Sequence, residues 1–191
     1  MNLTQLEKTH FDTLKKWRKA MDLVGPGALE PHFEDASHAV SWLDASGNWV
    51  DLGSGAGFPG IALAARHPEI SVTLVESRQK RVMFLAEVIS RGAAENVKIF
   101  HGRSETLEKG IYDGVVSRAF KPPRDFLVEA KELLVTGGTA VLMMARGEPP
   151  QIDGLELFHV EHYSLIDLDP DNLGSIREER PRKACGYRKT S

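Results

Sequence analysis

Apolar residues recur along this chain at two different spacings, and the alternation predicts an α/β protein. Short apolar runs bounded by glycine or charged residues predict buried strands at 49–52, 72–75, 97–101, 113–117 and 139–145. Between these runs, apolar positions three or four residues apart predict helices, the first of them at 61–65. Strands that alternate with helices imply a mostly parallel, doubly wound sheet.

The two ends of the chain depart from this alternation. A capping box at Thr4 and Glu7 predicts a helix over 5–21, and a second helix is expected over 29–43. Beyond Pro149-Pro150, two final strands are expected at 155–166 and 184–188, as an antiparallel hairpin at the sheet edge. We therefore expect one domain over 1–191, with an N-terminal helical cap (1–45) over the cofactor site and a Rossmann-like core (46–191) of seven strands.

A glycine-rich turn joins the first core strand to the helix after it. The strand ends in Asp51, and glycines follow at alternate positions before the helix begins. Glycine lets the backbone approach a ligand closely and adopt dihedral angles closed to other residues. The turn therefore predicts a nucleotide-like ligand, and residues 55–60 fit the G-x-G-x-x-G fingerprint of dinucleotide-binding sites.

Two features of the turn favour S-adenosylmethionine over a dinucleotide. A pyrophosphate is bound by free N–H groups at a helix N-terminus, and Pro59 has no N–H to donate. A carboxylate at Asp51 would repel a pyrophosphate, but it suits the ammonium group of S-adenosylmethionine, directly or through water. Glu76, at the end of the second strand, has the spacing expected for a carboxylate that binds ribose hydroxyls. The fingerprint alone leaves a nicotinamide or flavin cofactor open.

Four motifs occur in a characteristic order. They are Gly53–Ile61 (GSGAGFPGI), 72–77 (VTLVES) followed by Lys80-Arg81 and Phe84-Leu85, 102–105 (GRSE) and 117–119 (SRA). This series closely resembles the bacterial small-subunit ribosomal RNA guanine-N7 methyltransferases, formerly called glucose-inhibited division protein B. The resemblance spans roughly 17–146 and is far more specific than a glycine motif alone.

The resemblance implies the class I S-adenosylmethionine-dependent methyltransferase fold, with S-adenosylmethionine as cofactor. It implies methyl transfer to N7 of a single guanine in 16S ribosomal RNA, guanine 527 in the family. Ser104 and Glu105 are expected at the adenine, and Arg118 either at the cofactor or RNA or in a structural ion pair. The turn and the resemblance together predict these cofactor-binding residues: Asp51, Gly53, Ser54, Gly55, Gly57, Phe58, Glu76, Ser104, Glu105 and Arg118.

Guanine N7 carries a lone pair and no proton, so this reaction needs no general base. Holding the reacting atoms in line supplies about 7–11 kcal/mol in ideal cases. The chain has no evident Ser/His/Asp set, nucleophilic cysteine signature, metal-ligand cluster or Asn/Asp-Pro-Pro-aromatic motif. We therefore expect direct in-line attack, with no metal and no identifiable catalytic side chain.

The net charge of −3 over 191 residues does not indicate a nucleic-acid-binding protein by itself. Any RNA contact must come from local basic patches, and we expect one at Lys80, Arg81, Arg146, Arg182 and Lys183. The C-terminal tail divides into an acidic part, including Asp169 and Asp171, and a basic part that begins at Arg177. Two alternatives stay open: a small-molecule methyltransferase and a non-catalytic S-adenosylmethionine-binding factor of ribosome assembly.

Cysteine usage and apolar run lengths indicate the compartment. The single cysteine, Cys185, excludes an internal disulfide framework and suits a reducing environment. The first five residues lack the blocks of a signal peptide, and the longest apolar run, 140–145, is too short for a bilayer. We expect a cytoplasmic monomer whose partner is 16S ribosomal RNA or the small ribosomal subunit.

Overall fold

The computed structural model describes residues 2–168 and 176–191, without the side chains of 167, 168, 176 and 177. The described residues form five α-helices, seven strands and a short 3₁₀ turn, Ser104–Thr106. The helices are α1 (Gln5–Trp17), α2 (Glu30–Val40), α3 (Gly60–Arg66), α4 (Gln79–Gly92) and α5 (Pro123–Leu133). The strands are β1 (Asn48–Leu52), β2 (Ser71–Glu76), β3 (Val97–His101), β4 (Tyr112–Ser117), β5 (Leu134–Met144), β6 (Leu155–Leu168) and β7 (Ile176–Lys189).

The strands form one sheet in the order β3-β2-β1-β4-β5-β7-β6. The first five strands are parallel, and β7 runs antiparallel to both of its neighbours. One buried cluster packs residues of α1 to α4 against the sheet, and a second packs α5 against it. The predicted doubly wound, seven-stranded sheet with helices on both faces is confirmed.

The N-terminal helices are shorter than the sequence pattern predicts. The capping box at Thr4 and Glu7 is present, with N–H to side-chain oxygen distances of 2.8 and 3.2 Å. However, α1 ends at Trp17, because residues 18–20 form a turn closed by the N–H of Ala20 on the carbonyl of Trp17. Both helices pack on the helical layer of α3 and α4, and neither lines the cleft described below. The N-terminal helices therefore pack beside the glycine-rich turn and do not line the cleft.

Contacts with neighbouring residues determine the start and end of α4. Ser77 does not cap this helix; the N-cap residue is Arg78, whose N–H donates to Glu76 at 2.8 Å. The left-handed residue after the helix is Ala93 (φ +48°), not Gly92. Gly92 lies inside the helix, where a Cβ would overlap the Leu6 side chain of α1. Glycine at this position allows the close approach of the two helices.

The C-terminal hairpin is longer than predicted. Strands β6 and β7 pair along most of their lengths, whereas β5 pairs with β7 only from Thr139–Arg188 to Met144–Lys183. The remaining part (163–168 paired with 176–182, here called the arm) extends past the carboxyl end of β5. Asp169 and Asp171 lie outside the described residues, as does the side chain of Arg177. Of the helices that the structure describes, none has the length and apolarity needed to cross a lipid bilayer.

Candidate active site

A cleft of about 380 Å³ opens at the carboxyl ends of the central parallel strands. This edge is where open α/β sheets bind their ligands, because the loops after neighbouring strands diverge there. The cleft is lined by Gly53, Val75, Glu76, Ser77, Arg78, Arg81, Gly102, Arg103, Ser104, Glu105, Ala119, Phe120 and Lys121. Four of the expected cofactor-binding residues therefore line the cleft: Gly53, Glu76, Ser104 and Glu105.

Glu76 is a buried carboxylate, 4% exposed, that ties two loops together in the cleft. One of its oxygens accepts the N–H of Gly55 at 3.0 Å, and the other accepts the N–H of Arg78 at 2.8 Å. The guanidinium of Arg81 lies 3.7 Å from the same carboxylate. Gly55 meets this carboxylate with a left-handed backbone (φ +54°), which glycine adopts without steric cost. Glu76 thus shapes the glycine turn as well as facing the cleft.

Asp51 is fully buried and does not line the cleft. Its Oδ2 accepts the N–H of Gly60 at 3.2 Å, and its Oδ1 is buried with no hydrogen-bond partner among the described residues. Burial raises the pKa of Asp51 from 3.8 to about 7. Gly60 has no room for a side chain, because a Cβ would lie 2.6 Å from Oδ2 of Asp51. The carboxylate that the sequence assigned to a cofactor ammonium, directly or through water, is therefore bonded to the turn through Oδ2.

The donors at the start of α3 are consumed within the protein. Pro59 has no N–H, the N–H of Gly60 donates to Asp51, and the N–H of Ile61 donates to the carbonyl of Gly57 at 2.9 Å. A pyrophosphate at this helix N-terminus would need these donors. The arrangement therefore argues against the dinucleotide alternative.

Ser54 and Gly57 have structural roles inside the turn. Ser54 is buried; its N–H donates to the carbonyl of Val75 and its hydroxyl to the carbonyl of Asp51, both at 2.9 Å. Gly57 (φ +88°) donates its N–H to the carbonyl of Ser54 at 2.6 Å. Neither residue lines the cleft, and the hydrogen bonds of both hold the turn.

An aromatic cluster attaches the turn to the N-terminal helices. His10 of α1 donates through Nε2 to the carbonyl of Ala56 at 2.7 Å, and burial lowers the pKa of His10 to about 3. Its ring lies 4.7 Å from that of Phe58, which in turn lies 4.9 Å from Phe33 of α2. Phe58 is therefore buried away from the cleft. In the sequence, His10 is four residues from Leu6 and from Leu14, a spacing that indicates burial but not the bond to Ala56.

Arg118 lies in a buried cluster next to the turn and does not line the cleft. Its guanidinium lies 4.5 Å from the Phe58 ring centre and 3.4 Å from a carboxylate oxygen of Asp35. Asp35 also accepts the hydroxyl of Tyr163, from β6, at 2.8 Å. The structure thus places Arg118 in an ion pair, which is one of the two roles expected from the sequence. Together with Tyr163, this pair joins the end of β4 to α2 and β6.

Loops after β3 and β4 meet across the cleft. Glu105 is exposed and pairs with Lys121 at 2.9 Å, which lowers the pKa of the Glu105 carboxyl. Lys121 also pairs with Glu129 at 2.6 Å. The hydroxyl of Ser104 is buried and has no hydrogen-bond partner among the described residues. Ser104 does not cap a helix, because the 3₁₀ turn follows Arg103 and has no side-chain cap.

A second, smaller cavity of about 150 Å³ lies beside the cleft, at the carboxyl ends of β4 and β5. It is lined by Ser117, Ala119, Phe120, Lys121, Pro123, Phe126, Leu142, Met143, Met144, Ala145 and Arg146. The lining contains no carboxylate, imidazole or thiol. Ala119, Phe120 and Lys121 border both the cleft and this cavity. Ala119 and Phe120 could not be assigned a role from the sequence, because no pattern there shows that the cleft and the cavity share a wall.

The residues expected to bind RNA fall on two sides of the cleft. Lys80 is exposed at the start of α4, and its neighbour Arg81 lines the cleft. On the other side, Arg146 is exposed at the second cavity, and Lys183 donates to the carbonyl of Gly147 at 2.9 Å. Arg182 pairs with Tyr163 in the arm. In the part of the chain that the structure describes, no three His, Cys, Asp or Glu side chains are placed to hold a metal ion.

Comparison of the sequence with known proteins identifies one family. The family model of rRNA small subunit methyltransferase G matches residues 3–159. A ribosomal RNA small subunit methyltransferase G of Paracoccus denitrificans is 32% identical over 148 residues, 75% of this chain and 77% of the relative. A protein of the same name from Neisseria meningitidis is 30% identical over 179 residues, 90% of this chain and 86% of the relative.

Solved structures of similar fold include a protein in complex with AdoMet and a methyltransferase. TYW2 of M. jannaschii, crystallised in complex with AdoMet, superposes with a TM-score of 0.64 at 16% identity, over 88% of this chain and 81% of that one. The precorrin-6y C5,15-methyltransferase of Geobacter metallireducens gives a TM-score of 0.57 at 13% identity, over 90% and 92% of the two chains. These likenesses confirm the class I methyltransferase fold. On the family match and the identity of its relatives, the chain belongs to the rRNA small subunit methyltransferase G family.

Proposed function

We propose that this protein transfers a methyl group from S-adenosylmethionine to N7 of one guanine in 16S ribosomal RNA, guanine 527 by resemblance. Membership of the family supports an RNA substrate in the small ribosomal subunit. It also supports action in the cytoplasm, where that subunit is assembled. We take the active form to be a monomer that uses no metal ion.

The observation that carries the cofactor assignment is the internal use of the donors at the start of α3. With Gly60 bonded to Asp51 and Ile61 bonded to Gly57, the turn suits a ligand that has no pyrophosphate. Glu76 presents a carboxylate to the cleft, and Ser104 has a buried hydroxyl without a partner among the described residues. Both groups suit the hydroxyls and ring nitrogens of a nucleoside.

Four cleft residues would hold this cofactor, which supplies a sulfonium-bound, electrophilic methyl group when bound. We assign the ribose to Glu76, the adenine to Ser104 and Glu105, and the close backbone approach to Gly53. Asp51 would act at longer range, through its charge or through water, because it lies behind the turn. Ser54, Gly55, Gly57, Phe58 and Arg118 would keep the turn in shape.

The chemistry of the second cavity supports the acceptor assignment. A ring nitrogen such as guanine N7 needs no proton removed, and the cavity lining offers no group that would remove one. The residues around it therefore act by positioning the base in line with the methyl group, which alone supplies about 7–11 kcal/mol in ideal cases. Lys80, Arg81, Arg146, Arg182 and Lys183 would bind phosphates on either side and fix the RNA over the cleft.

The test is transfer of labelled methyl from S-adenosylmethionine to small subunits that lack the modification, with deproteinised 16S RNA in parallel. We expect label in the RNA, and we expect loss of both cofactor binding and transfer in Glu76→Ala. Lys98→Glu, an exposed change on β3, is the control that keeps both. Cofactor binding without transfer to RNA would favour a non-catalytic assembly factor. Label recovered only in small molecules would favour the small-molecule alternative.

A further inference from the structure

We infer that the cavity at the ends of β4 and β5 receives the target guanine and that the Phe120 ring stacks on it. This inference rests on the proposed function, and it assigns the acceptor site to particular residues. Phe120 is half-buried and belongs to the wall shared by the cavity and the cofactor cleft. It is the one aromatic side chain in that shared wall.

The loop that carries Phe120 is held in an unusual backbone conformation. Ala119 has φ +55°, a left-handed value that a residue with a Cβ adopts only at a cost in free energy. Such conformations cluster at ligand-binding and catalytic sites, where the surrounding structure maintains them. Here the turn directs Phe120 against the backbone of Gly53, where a Cβ would overlap the ring. This backbone conformation brings the Phe120 ring to the boundary between the cleft and the cavity.

The size and charge of the cavity fit one heterocycle of a nucleotide. Its volume of about 150 Å³ leaves room for a single base, and Leu142 and Met144 of β5 form part of an apolar lining. Its charged lining residues are Lys121 and Arg146, both cationic, with no carboxylate. Apolar walls suit a neutral base, and the cations suit the phosphates next to it. An RNA base must leave its own stack to enter such a cavity, and proteins replace that lost stacking with aromatic side chains.

For methyl transfer to occur, the cleft and the cavity must connect through the wall that they share. Methyl transfer needs about 3–3.5 Å between the reacting atoms, and the shared wall consists of Ala119, Phe120 and Lys121. Lys121 is tied by ion pairs of 2.9 and 2.6 Å to Glu105 and Glu129. The side chain of Ala119 is a single methyl group, which has no rotamer that would open the wall. Phe120 is therefore the residue that turns as the base arrives and stays in contact with its face.

The test compares an aliphatic with an aromatic replacement in the full-length protein. Phe120→Leu keeps the apolar volume but removes the stacking face, whereas Phe120→Tyr keeps the face. We expect Leu to lower kcat/KM for RNA by about 10- to 100-fold and Tyr by less than about threefold. The dissociation constant of S-adenosylmethionine, measured by calorimetry, should change by less than about threefold in both. The control is Phe158→Leu, an exposed aromatic of β6 that packs on Trp42, which should match the native protein.

Three results would overturn the inference. A Phe120→Leu protein as active on RNA as the native one would show that no stacking occurs. Equal losses in the Leu and Tyr variants would show that the ring face is not what matters. A parallel loss of cofactor affinity would show that Phe120 only packs the glycine turn. These results leave the proposed function intact if the native protein methylates RNA, whereas a native protein that does not would remove both.

Discussion

At the scale of single residues, the glycine turn is held by three polar side chains that bond to its backbone. Glu76 bonds to the N–H of Gly55, His10 to the carbonyl of Ala56, and Asp51 to the N–H of Gly60. Spacing along the sequence placed Glu76 and Gly53 correctly at the cleft. It could not show that Asp51 is buried behind the turn, because that burial depends on the packing of α3 against β1.

His10 should contribute to stability mainly through its bond to Ala56. In His10→Phe, the aromatic packing is kept, but the buried carbonyl of Ala56 loses its donor, at a cost of about 1–3 kcal/mol. Urea unfolding of the purified variant measures this difference. His10→Gln, which can still donate a hydrogen bond to that carbonyl, should recover part of it. A Phe variant as stable as the native protein would show that the bond is of no consequence.

Asp51 should make stability fall as pH rises. Its folded pKa of about 7 lies above the usual 3.8, so its contribution is fully present below about pH 4 and is lost as pH rises through 7. Asp51→Asn does not titrate. The free energy of unfolding of the variant minus that of the native protein should therefore rise over this range, by about 4 kcal/mol. The lowered pKa values of His10 and His32 act in the opposite direction, but they are common to both proteins.

A difference that stays flat from pH 4 to pH 8 in parallel urea titrations would contradict this account. It would mean that the Asp51 carboxyl titrates alike in the folded and unfolded chains.

At the scale of elements, two features shape the candidate active site: the close contacts of α3 and the length of the β6–β7 hairpin. The pattern of strands and helices in the core was predictable, because each apolar run is long enough to indicate its own element. The β7 side of the arm was not predicted, because its residues pair only with β6 and carry many charges, whereas the predicted strand 155–166 reached into the β6 side. The end of α1 also differed from the prediction, since a turn at residues 18–20 decides where that helix stops.

The start of α3 should not tolerate even one methyl group. In Gly60→Ala, the new Cβ would lie within 2.8 Å of the Asp51 Cβ and would overlap Leu74. Overpacking should cost about 1–3 kcal/mol despite the better helix propensity of alanine, and it should weaken cofactor binding. Gly25→Ala, where no atom lies within 4 Å, is the matched control and should stay within about 0.5 kcal/mol. Thermal and urea unfolding of both variants would reject the account if their losses were alike.

The base of the arm should bind RNA phosphates. Reversing the charges of Arg182 and Lys183 together should lower kcat/KM for RNA by about tenfold or more and make its dependence on salt shallower by about two phosphate contacts. Cofactor affinity should not change, because neither residue lines the cleft. Lys98→Glu combined with Lys109→Glu, two exposed positions outside the cleft, controls for the same change in net charge. An equal effect of the control would show that the protein's overall charge, not this surface, attracts the RNA.

At the scale of the whole molecule, the sheet brings the loops after β1, β2, β3 and β4 to one edge. It also places the cleft and the second cavity side by side. The net charge of −3 gave no sign of an RNA substrate, since the basic side chains proposed to bind RNA form small local groups on two sides of the cleft. Composition averages over the whole surface and does not show such local grouping. The family motifs supplied that part of the prediction, because they mark the loops that meet at the edge.

The most direct test of the account is to map the methylated nucleotide. Small subunits lacking the modification would be incubated with the protein and S-adenosylmethionine, and their 16S RNA would be cleaved chemically at N7-methylguanine. The account predicts cleavage at one new guanine, absent when the native protein is replaced by Glu76→Ala. Transfer without such cleavage would contradict attack by a ring nitrogen. Cleavage at many guanines would contradict an acceptor cavity that fixes a single base.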